Sequence, residues 1–104
     1  ASKAELAHKP GLLVGVSSGI GGGSPIAELR SSSYKNCRVN YLPEHLIIRS
    51  VTKVLNDEQP ASEDDSRIRA RIDYALDILA KYGEALKPVR ASIDLSDPAF
   101  TNGM

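Results

Sequence analysis

The sequence predicts an α/β fold built on a parallel sheet. Three features predict it: an unalternated apolar run at Leu12–Val16, a glycine-rich turn that passes directly into a helix and a second strand, and one long helix with a single apolar face. At 104 residues the chain fits a single domain with one core, and a domain of that size buries roughly 60–70% of the surface its unfolded chain exposes.

Along the chain, residues 1–8 (ASKAELAH) read as the end of a helix or a frayed terminus, interrupted by Pro10 and Gly11. Leu12–Val16 has no polar alternation, which predicts a strand buried on both faces. After the loop Ser17–Gly23, Ser24 offers a capping hydroxyl and Pro25 suits the first helical position, predicting a helix to about Ser33. Cys37–Leu42 alternates and stops at Pro43, predicting the second strand with Cys37 as a small buried hydrophobe. Strand, helix and parallel strand form a βαβ unit.

Glu44–Asp57 starts as an extended segment at Leu46–Ile48 and ends in a possible helical turn, and Glu58–Ser66 is polar and turn-rich. From about Ser62 to Leu86, apolar residues at Ile68, Ile72, Ala75, Leu76, Leu79, Tyr82 and Leu86 follow the spacing of one buried helix face. Glu63, Asp64 and Asp65 occupy its first turn, where they complement the helix dipole, and read as helix entry rather than a metal site. Arg67, Arg69 and Arg71 fall largely off the apolar face, and the helix is expected to stop before Pro88. Residues 1–90 make the domain; the tail, 91–104, lacks periodicity and either docks or stays free.

Charge and composition remove several function classes. Thirteen basic and thirteen acidic residues balance without a basic block, so no nucleic-acid surface is expected. The single cysteine excludes an internal disulfide, and His8 and His45 belong to no cluster with metal-ligand spacing. No apolar run approaches the ~20 residues of a membrane span and no signal peptide is visible, so no membrane partner and a cytoplasmic location are expected. The chain begins Ala1-Ser2-Lys3 without methionine, as a fragment, a processed product or a chain without its initiator would.

The functional signal is the loop Val14–Arg30, VGVSSGIGGGSPIAELR, with four glycines in five residues. A strand that enters a glycine-rich turn and then a helix offers unpaired N–H groups and partial positive charge to an anion or carbonyl. Gly15, Gly19, Ile20 and Gly21 match the G-x-x-x-G-I-G cofactor loop of short-chain dehydrogenases. That family's Tyr-x-x-x-Lys pair is missing: the residues four after Tyr34, Tyr41, Tyr74 and Tyr82 are Arg38, His45, Ile78 and Leu86. The G-x-G-x-x-G pattern from Gly19 also ends at Ser24 instead of glycine. A nucleotide-binding domain of that type and a small non-catalytic interaction module remain as alternatives.

A fuller pattern runs over roughly residues 3–88. A strand opened by Lys9-Pro10 leads into a Ser/Gly loop ending in paired glycines and a helix carrying AELR. A second strand then meets Pro43, followed by Leu46–Ile48, an acidic linker and a long closing helix. In this order the chain resembles the C-terminal half of the NADPH-dependent FMN reductases of the flavodoxin-like superfamily. The resemblance implies a three-layer α/β/α fold, of which this chain holds the fourth and fifth parallel strands and their helices. It implies an oxidoreductase that passes hydride from NAD(P)H through bound FMN to flavin, quinone, azo or metal acceptors. The FMN-binding loop would be Ser17, Ser18, Gly19, Ile20, Gly21, Gly22 and Gly23, its backbone N–H groups meeting the flavin's carbonyl and nitrogen edge. No catalytic side chain is implied.

The family's phosphate-binding loop, which reads like G-S-x-R-x-x-S after its first strand, has no counterpart here, and neither does its second ring-contacting loop. The resemblance therefore implies a chain that binds FMN weakly, is colourless when purified and is inactive alone. Its fourth strand would also have an unpaired edge, which predicts either homo-oligomerisation or a missing N-terminal half as partner.

Overall fold

The computed structural model describes residues 3–104. The elements are α1 (Lys3–Leu6), β1 (Pro10–Val16), α2 (Gly23–Ser32), β2 (Asn40–Ile48), a 3-10 turn at Val51–Lys53, α3 (Glu63–Ser92) and a second 3-10 turn at Pro98–Phe100. β1 and β2 pair in parallel as a two-stranded sheet. The mixed α/β class and the parallel pairing are those read from the sequence.

The second strand corrects two expectations. It starts at Asn40 rather than Cys37, and it runs through Pro43 to Ile48. Residues 33–39 are held in a turn instead: the Arg38 N–H donates to the Tyr34 carbonyl at 2.7 Å, and the His8 N–H donates to the Arg38 carbonyl at 2.7 Å. Cys37 is thus a half-buried turn residue whose thiol donates to the Ser33 carbonyl at 3.2 Å, not a strand hydrophobe. Pro43 survives within the strand because the pairing slips there. Between the Gly11–Tyr41 and Leu13–His45 pairs, Leu12 alone faces Leu42, Pro43 and Glu44. A residue without an N–H costs no ladder bond in such a bulge.

α2 lies on the face of the sheet carrying Gly15 and His45: Ile26 Cδ1 stands 3.4 Å from where a Gly15 side chain would begin, and Arg30 meets His45 Nδ1 at 3.2 Å. α3 covers the opposite face, where Leu46 and Ile48 are buried and Arg71 reaches Glu44. The core holds Leu13, Ile26, Leu42, Leu46, Ile48, Val54 and Ala75.

The expectation that β1 is covered on both faces fails, since Val14 is 47% and Val16 58% exposed. The physical reason is that β1 is an edge strand and α3 buries Leu46 and Ile48 of β2 rather than Val14 and Val16, and α3 is itself left partly uncovered because it outreaches the sheet. A 30-residue helix is about 45 Å long, whereas a nine-residue strand spans about 30 Å, and two strands make a narrow floor. Of the apolar face read from the sequence, only Ala75 is buried; Ile68, Ile72, Leu79 and Leu86 are half-buried, and Leu76 and Tyr82 are exposed. The surface is 7061 Å², against about 5,700 Å² for a compact domain of this mass. The radius of gyration, 16.6 Å, likewise exceeds the ~13 Å expected for this length.

α3 begins where the sequence places it. Ser62 is its N-cap and accepts from the Asp65 N–H at 3.1 Å. It does not stop before Pro88 but continues to Ser92. Two residues beyond the proline, Arg90 donates to the His8 carbonyl at 3.4 Å, which ties the late turn to the segment before β1. The tail docks: Arg38 bonds the Phe100 carbonyl, and Gly103 packs against the Lys35 backbone.

Candidate functional site

The loop Ser17–Gly23 sits at the C-terminal end of β1, beside the C-terminal end of β2. In open α/β sheets this is the end where ligands bind. The segment after β2 pins the loop. The Ser17 N–H donates to the Ile48 carbonyl at 2.9 Å, and Ser17, Gly19 and Ile20 in turn accept on their carbonyls from Val51 N–H (3.1 Å), Ser50 N–H (2.7 Å) and Arg49 Nε (2.7 Å). The Gly19 N–H is taken by the Ser17 hydroxyl at 3.1 Å. Three carbonyls and two N–H groups of the loop are thereby used, while the N–H groups of Ser18, Ile20, Gly21 and Gly22 have no partner among the described residues.

The helix start differs from the reading of Ser24 as cap and Pro25 as first residue. Gly22 is the N-cap, with φ 110° and no side-chain cap, and the helix begins at Gly23. The reason lies in a close approach. The loop folds back so that the Gly22 carbonyl oxygen would clash with a Cβ on Gly15, and a Cβ on Gly22 would stand 3.0 Å from Ile47 Cγ2. Only a glycine at 22 allows that backbone angle without strain. Gly19, by contrast, has nothing within 4 Å of its Cβ position, and Gly21 and Gly23 meet only ordinary contacts at 3.6 and 3.9 Å. The chain's own packing explains Gly15 and Gly22 but makes no demand at the other three. Those three leave the loop surface bare of side chains around the unpartnered donors. Ile20, 85% exposed, stands out from it.

Asp65 belongs to the acidic trio read as helix entry, and it has a more specific task. It is 1% exposed and accepts from Arg69 Nε (2.9 Å), Ala61 N–H (2.9 Å) and Leu55 N–H (3.0 Å). The Arg69 bond first, then the two backbone bonds, hold its carboxyl down at about 2 against an ordinary 3.8. The Ser62-x-x-Asp65 spacing of a capping box was the available signal, although Asp65 reaches back to Ala61 rather than to the cap itself.

Arg49 and Lys53 escaped the sequence reading. With Ile20 they line a cleft of about 900 Å³ between the end of β2, the 3-10 turn and the first turns of α3. Among the described residues no three His, Cys, Asp or Glu side chains gather as metal ligands, and no helix is long and apolar enough to cross a membrane. Comparison of the sequence with protein-family models found no match, and neither did comparisons with curated proteins and with solved structures.

Proposed function

We propose that this chain is part of an NAD(P)H-dependent FMN reductase, with Ser17–Gly23 lying against the edge of the flavin ring. The observation that carries the reading is the set of four unpartnered N–H groups, at Ser18, Ile20, Gly21 and Gly22, on a loop at the C-terminal end of two parallel strands. A flat ring edge with carbonyl and nitrogen acceptors fits a donor row that carries no side chains at Gly21 and Gly22. FMN, when bound, supplies hydride exchange with NADPH and onward reduction of flavin, quinone or azo acceptors. The chain's own part is to orient the ring and to donate hydrogen bonds where negative charge grows on reduction. This requires no side-chain acid or base in the loop.

Fluorescence titration with FMN, NADPH and ADP tests the reading. The purified protein is expected to be colourless and to quench FMN weakly but saturably, with ADP not competing. An absence of saturable FMN quenching contradicts the reading; an ADP-competed site points instead to a dinucleotide fold.

The exposed Val14, Val16, Leu76 and Tyr82 favour a second reading, a non-catalytic module that self-associates through the open edge of β1 and the uncovered flank of α3. Light scattering of a protein that forms a stable dimer and ignores FMN supports it; a clean monomer counts against it.

A further inference from the structure

The cleft beside the glycine loop carries a charge pattern of its own. Four cations line it, Arg49, Lys53, Arg67 and Arg71, and one acid, Asp64. Two of the cations are already neutralised. Arg67 pairs with Glu63 at 2.9 Å and Asp64 at 3.3 Å, and Arg71 pairs with Glu44 at 2.6 Å while lying over the Tyr74 ring. That also accounts for the only acid in the lining. Lys53 has no side-chain partner among the described residues. Arg49 spends only its Nε, on the Ile20 carbonyl, which fixes the guanidinium and leaves both terminal nitrogens as a fork of donors. The floor between these two cations and α3 is apolar, made by Ile47, Val54 and Ile68.

We propose that this cleft binds a phosphate group carried by a small molecule with an apolar body, Arg49 and Lys53 holding the phosphate. Two unneutralised cations match the charge of a phosphate monoester. A volume of about 900 Å³ is that of a site for a whole small molecule, far more than an inorganic anion fills, and the apolar floor provides for the rest. The inference needs no flavin and stands or falls apart from the reading of the glycine loop.

Phenyl phosphate is the probe, with phenol as its neutral counterpart, titrated at low salt into the ¹⁵N-labelled full chain. Saturable shifts are expected at Ser50, Lys53 and Val54, with phenol at least fivefold weaker. Lys53→Gln removes no side-chain hydrogen bond or ion pair among the described residues and should weaken phenyl phosphate about fivefold or more; adding Arg49→Gln should weaken it further. Unchanged affinity in Lys53→Gln, equal binding of phenol, or shifts confined to other surfaces would overturn the proposal. If the double variant fails to fold, the single Lys53 variant decides the matter.

Discussion

Gly15→Ala places a methyl group well inside van der Waals contact of the Gly22 carbonyl oxygen, with the Gly22 carbonyl carbon at 3.2 Å and Ile26 Cδ1 at 3.4 Å. Two of these neighbours are backbone and cannot rotate away. Restoring van der Waals separation moves the loop back by about 1 Å, against the anchors from Ser17, Gly19 and Ile20 to Arg49, Ser50 and Val51. Overpacking of this kind costs about 1–3 kcal/mol. For a domain near 100 residues, 2 kcal/mol lowers Tm by about 8–16 °C. Gly19→Ala is the internal control. It lies in the same loop, meets nothing within 4 Å and has no positive φ, so its effect should stay within about 0.5 kcal/mol. Thermal unfolding followed by far-UV circular dichroism reads both. Equal melting temperatures for the two variants would refute the claim that the loop is seated on Gly15.

Asp65 provides a pH test. Its carboxyl is held at about 2 in the fold against 3.8 ordinarily, so its contribution is fully present above about pH 4 and is lost as pH falls toward 2. The wild type should lose Tm over that window more steeply than Asp65→Asn, and parallel curves would contradict the assignment. Leu42, 1% exposed, should lose about 2–5 kcal/mol on change to Ala, whereas half-exposed Leu76 should lose under about 1 kcal/mol. Chemical denaturation compares them; an equal cost would mean that the flank of α3 is covered in solution, as self-association requires.

The sequence carried the local decisions and missed the paired ones. Leu12–Val16 as strand and the start of the long helix near Ser62 depend on neighbours a few residues away and lie where the local signals put them, although β1 already begins at Pro10 and the turn after it ends at Gly22. Pro43 looked like a strand end because proline removes a donor. Whether that donor was needed depends on the bulge opposite Leu12, which is a property of two strands. Ser24 and Pro25 both announced a helix start, but the close approach of Gly22 to Gly15 and Ile47 moved it forward. Pro88 lies inside α3, which runs on to Ser92, and beyond it Arg90 bonds the His8 carbonyl, 82 residues away in sequence. The expected burial of Val14 and Val16 needed more cover than two strands and one crossing helix provide. In the cleft, which of four cations stays free is decided by Glu44, Glu63 and Asp64, so no reading of Arg49 or Lys53 alone would have singled them out.

An amide-resolved titration with FMN tests the central claim most directly. If the spared donors of the glycine loop meet the flavin edge, the ¹⁵N–¹H resonances of Ser18, Ile20, Gly21 and Gly22 move together and saturably, while that of Gly19, already bonded to the Ser17 hydroxyl, moves least. Saturable shifts that bypass these four amides, or no shift at all at millimolar FMN, would contradict the account.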